Sequence, residues 1–141
     1  MMYKGEPAKG VDFYNLLVES YEFTSELGKV ALHSGKLEAE LILLLLRNNT
    51  KENFSGKTLG TLIGIAKKNN LLNDNLVAAL KQISKQRNYI THNIYALFID
   101  LVDETILEKN DLLDSDVHTY LDMVFQLNEN LEDLTCVIHQ I

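Results

Sequence analysis

The stretch Arg87-Asn88-Tyr89-Ile90-Thr91-His92 gathers the residue types that phosphate chemistry uses. Histidine titrates near neutrality, so an imidazole can take a proton from a hydroxyl or return one to a leaving oxygen. A guanidinium offers a planar fork to phosphate and stabilises charge that grows in a transition state. Arg87 and His92 are therefore the candidate catalytic pair. Asn88 can hold a phosphate oxygen or the imidazole, and Lys81 and Lys85 make the approach positive. Thr91 and Tyr95 complete the candidate substrate-binding set. The set suits cleavage of a ribose-phosphate backbone by attack of a 2′-hydroxyl, a reaction that needs no metal and no cofactor.

A helix must position these groups. At about 100° per residue, Lys81, Lys85, Asn88, His92 and Tyr95 fall along one side. Arg87 stands about 140° from His92 on an ideal helix, so the pair meets only through the reach of arginine, a distortion, or a partner subunit. On chemistry alone, the same residues also read as surface polar side chains beside a half-buried histidine.

Other signals are weaker. Gly56-Lys57-Thr58 ends like a phosphate-binding loop, but the glycine that the pattern requires five residues earlier is Lys51 and no strand precedes it. The tripeptide reads as the start of a helix. His33, His118 and His139 are scattered, with no i, i+4 pair to ligate a metal. Cys136 has no internal disulfide partner, and its apolar neighbours suggest a small core residue.

The surrounding elements read as helix nearly throughout. Apolar spacing predicts a first helix from near Val11, with Phe13, Leu16, Leu17, Tyr21 and Leu27 inward, and a break at Ser34-Gly35. A second helix over 36–48 carries a run, 41–46, so apolar that most of its circumference must be covered, as in the centre of a bundle. A polar connection over 48–56 leads to a third helix over 57–69. Asn73 and Asp74 cap a long fourth helix over 75–100. A loop over 105–114 precedes a last helix, capped by Asp114 or Ser115, with the stripe Val117, Tyr120, Leu121, Val124, Leu127, Leu131, Leu134 and Ile138. The expected architecture is all-α: an up-and-down antiparallel bundle of about five helices over 11–141, behind an extended or disordered segment 1–10.

The chain has 141 residues and 46% hydrophobic residues, enough for one domain with its own core. Net charge is −7. Residues 1–99 hold 12 Lys/Arg against 9 Asp/Glu, whereas residues 100–141 hold 11 Asp/Glu against Lys109 alone. That balance argues against bulk binding of nucleic acid while leaving room for a local basic site. No apolar run approaches the roughly 20 residues of a membrane helix, and no secretory segment is visible. The chain is expected to be cytoplasmic and to have no membrane partner.

The run from Arg87 to His92 resembles the Arg-x4–6-His signature of the HEPN superfamily, whose members often carry a polar residue after the arginine, as Asn88 is here. The segment over 54–69, with Leu59-Gly60-Thr61-Leu62-Ile63, is similar to helical proteins of the mannitol-repressor type, which share the bundle. The resemblance spans roughly residues 20–140, and the six-residue motif is its specific part. It implies a metal-independent endoribonuclease, often a toxin or defence component, in which Arg87 stabilises phosphate, His92 is the general acid or base and Asn88 assists. It also implies a homodimer that brings two motifs to one cleft. Toxin members paired with a nucleotidyltransferase antitoxin carry a tyrosine two residues after the histidine; here that position is Ile94 and the tyrosine is Tyr95.

A second reading is non-catalytic: a helical regulator, antitoxin or immunity protein whose acidic C-terminal third docks on a basic protein partner.

Overall fold

The computed structural model describes residues 7–48, 50, 53–92 and 114–141. Those residues form an all-α bundle of five helices: α1 (Pro7–Glu19), α2 (Tyr21–Arg47), α3 (Leu59–Lys68), α4 (Asp74–His92) and α5 (Asp114–Gln140).

The boundaries correct two expectations. Residues 7–10 are helical rather than extended, and α1 opens on Pro7. Proline suits a first helical position, where its missing N–H would have had no intrahelical acceptor. The first break falls at Ser20, not at Ser34-Gly35. Ser20 Oγ accepts from the Phe23 N–H at 3.2 Å and so starts α2 afresh. Ser34 is instead buried inside α2. A mid-helix glycine beside it costs only about 1 kcal/mol, less than the packing of so long a helix returns.

The remaining ends have local causes. Asn48 closes α2 by donating its amide to the Leu44 carbonyl at 2.8 Å. Thr58 caps α3 by accepting from the Thr61 N–H, so the Gly-Lys-Thr tripeptide begins a helix. Beyond α3, Asn70 takes a left-handed φ of 57°. There the Leu71 N–H reaches the Ala66 carbonyl and the Asn70 N–H reaches that of Lys67, a Schellman closure. Asn73 then caps α4, its Oδ1 accepting from the Leu76 N–H at 2.8 Å. The expected continuation of the fourth helix over 93–100 and the loop over 105–113 lie outside the described residues.

α2 is the central helix and packs on all four others. Its Leu37, Leu41, Leu44 and Leu45 meet Leu59, Leu62 and Ile63 of α3, Leu80 and Ile83 of α4, and Tyr120, Val124 and Leu131 of α5 in one core. Phe54 is buried there too, although its connection reads as polar. Coverage of the 41–46 run is incomplete, because Leu43 and Leu46 face solvent. Cys136 is exposed, correcting its expected place in the core.

The two longest helices run in the same direction. Asn128 donates to the Glu26 carbonyl and carboxylate at 2.9 Å. His33 Nε2 lies 3.2 Å from Glu132, and His139 Nδ1 lies 3.1 Å from Glu40. The partners' numbers rise together, so α2 and α5 are parallel. Alternation holds among the three long helices instead, since α4 brings Ile90 and Thr91 back beside Phe23 and Thr24 at the start of α2. At about 15 Å, α3 is too short to count as a full traverse of the bundle.

Candidate active site on the fourth helix

α4 is uninterrupted α-helix to His92, so no backbone distortion closes the gap of about 140° between Arg87 and His92. Ile83, Ser84 and Ile90 are buried, and Arg87 lies half-buried between them, within the arc of that stripe. Lys81, Lys85 and Asn88 are exposed. The structure thus gathers the lysines and the asparagine on the outer face of α4 and places Arg87 on the core-facing side. His92 ends the described part of the helix; its side chain, and the whole of Tyr95, lie outside the described residues.

Two local interactions shape the site. Lys85 Nζ sits 5.6 Å above the centre of the Tyr89 ring, which steadies a cation over the face of an aromatic. Thr91 Oγ1 donates to the Arg87 carbonyl at 2.9 Å, so its proton is committed to its own helix and the oxygen is left as an acceptor.

Among the described residues, Arg87 Nε is buried with no hydrogen-bond partner and the side chain forms no ion pair. A buried donor without an acceptor costs roughly 1–3 kcal/mol, more for a charged group. An oxyanion reaching this guanidinium would recover that loss.

Sequence reasoning did not anticipate the groove beside the motif. Tyr14, Val18, Phe23, Thr24, Ile90 and Thr91 line an apolar space of about 260 Å³ where α1 folds over the start of α2 and the end of α4. Its only sequence signal is the outward spacing of Tyr14 and Val18 on α1, which is visible only once the break at Ser20 is known. Of the other histidines, His33 and His139 bridge α2 and α5, and His118 is exposed on the first turns of α5, in the groove that Tyr21 and Glu22 also line. Among the described residues no three His, Cys, Asp or Glu side chains gather as metal ligands, and no helix is long and apolar enough to cross a membrane.

No protein family, curated protein or solved structure matches the chain.

Proposed function

We propose that the chain is a metal-independent endoribonuclease of the HEPN type, acting as a toxin or defence component. The observation that carries the reading is a half-buried guanidinium with an unsatisfied Nε, five residues before a histidine, on a helix whose outer face holds Lys81, Lys85 and Asn88. His92 takes the proton of a 2′-hydroxyl, whose oxygen attacks the adjacent phosphorus. The bond from phosphorus to the 5′-oxygen breaks, the departing oxygen is protonated, and a 2′,3′-cyclic phosphate remains. Arg87 holds the charge that builds on the phosphoryl oxygens. Lys81, Lys85 and Asn88 hold the neighbouring backbone, and Thr91 and Tyr95 contact the substrate.

Incubation of the pure protein with single-stranded RNA at neutral pH and with a metal chelator tests this reading. Cleavage is expected, and His92→Ala should slow it by about 10²–10⁴-fold. Intact RNA, or a His92→Ala rate equal to that of the unmodified protein, overturns it.

A second reading is favoured by α5, which has no Lys or Arg and exposes Glu129, Glu132 and Asp133. Such a face suits a regulator, antitoxin or immunity protein that docks on a basic partner. Recovery of one stoichiometric basic partner without nuclease activity would favour it.

A further inference from the structure

A surface helix ordinarily turns charged residues away from the core. α2 does not. Opposite its buried face, Gly28, Leu32, Gly35, Ala39, Leu43 and Leu46 point outward within about 80° of arc. All are exposed, Leu32 by 76%, Leu43 by 47% and Leu46 by 52%. A Cβ at Gly28 or Gly35 would meet nothing within 4 Å, so packing within the chain does not require glycine at either place. Each costs the helix about 1 kcal/mol relative to alanine, and what glycine offers in return is close approach by another backbone.

We propose that this face binds the same face of a second copy of the chain, with the two α2 helices antiparallel and centred between Gly35 and Lys36. A two-fold interface must be complementary to itself, and this register achieves that. Leu32 faces the partner's Ala39, Leu43 faces the partner's Gly28, and Leu46 faces the partner's Ser25, so each leucine meets a small residue.

Charge supports the same alignment at the two ends of the strip. At the N-terminal end of the face, Tyr21, Leu121 and Phe125 wall a groove of about 440 Å³ whose rim carries Glu22, Glu26 and Asp122. Tyr21 is 84% exposed and Phe125 51%. Arg47, exposed at the other end of α2, forms no ion pair among the described residues. The register delivers the partner's Arg47 to this acidic, aromatic-walled groove, and symmetry repeats the contact. A strip about 37 Å long and about 10 Å wide offers about 370 Å² on each copy, and the contacts at the groove on each end are needed to bring the pair toward the roughly 1,000 Å² of a specific interface.

The pairing does not rest on the nuclease reading, but it confines that reading to one chain, where Arg87 must reach its own His92 along the helix surface. It sets the two α4 motifs about 35 Å apart along the helix axis, at opposite ends of the dimer, rather than in one cleft. Sedimentation equilibrium of the full chain in the tens of micromolar is the test. A dimer is expected, and Leu32→Glu should raise its dissociation constant about a hundredfold or more while helicity by circular dichroism stays unchanged. Arg47→Glu should weaken it, with partial recovery when Glu22→Lys is added. As a second measurement, Gly35→Cys in a Cys136→Ser background should form an interchain disulfide under mild oxidation. A chain that stays monomeric, or a dimer indifferent to Leu32→Glu and lacking the crosslink, overturns the proposal.

Discussion

Arg87 and Cys136 show what side-chain chemistry does and does not reveal. An arginine five residues before a histidine is legible as a phosphate-handling pattern. The half-burial of Arg87 is set by its phase on α4, which falls between the buried Ile83 and Ile90 on one side and Leu80 and Ser84 on the other. Cys136 is surrounded in sequence by apolar residues but stands about 100° from Thr135 and about 160° from Ile138, which face the core. Helix phase, rather than local composition, puts it in solvent. One equivalent of thiol is therefore expected to react with Ellman's reagent in the native protein without denaturant; a thiol released only on unfolding would contradict its exposure.

At the level of the element, short polar side chains set the boundaries. Ser20, Thr58 and Asn73 each accept from a backbone N–H three residues on, and each begins a helix. Asn73→Ala should cost about 1 kcal/mol, since it leaves that donor without its acceptor. Urea unfolding would measure the loss as a lower midpoint at an unchanged slope. The expected cap at Asn73 was readable because the residue precedes a clear apolar period. The break at Ser20 was not, because the apolar residues on either side, Leu17 and Tyr21, are themselves four apart. Without that break the apolar period of α1 runs on into α2, and the next helix-breaking signal is Ser34-Gly35.

Across the whole molecule, the α2–α5 seam joins the two 27-residue helices through polar contacts between residues about a hundred positions apart in sequence. Glu26 is the centre of one such contact. Its carboxyl is held below its usual value of 4.5, chiefly by the hydrogen bond from Lys29 at 3.0 Å. Burial opposes that shift, while the Asn128 amide and the charges of Lys29 and His33 add to it. A depressed carboxylate contributes stability that is fully present above its unfolded pKa and disappears as pH falls through the lower folded value. Glu26→Gln should therefore be less stable than the unmodified chain near neutrality, with the gap closing below about pH 4.5. Thermal melts across that range would show it; a gap independent of pH would sink the assignment.

The amino-acid order by itself determined the all-α class, the central place of the second helix, the inward stripe of the last one and the position of the Arg87–His92 motif. Each is a matter of period or local capping, which neighbours in sequence decide. Tertiary structure decided that α2 and α5 run parallel, that the side of α4 carrying Arg87 is turned toward the core while that of Lys81 and Lys85 is left outside, and that Leu32, Leu43 and Leu46 are left uncovered. Those outcomes depend on which faces distant helices bury against one another. A hydrophobic period shows that a face is apolar, and only the packed bundle shows whether the same chain supplies its cover.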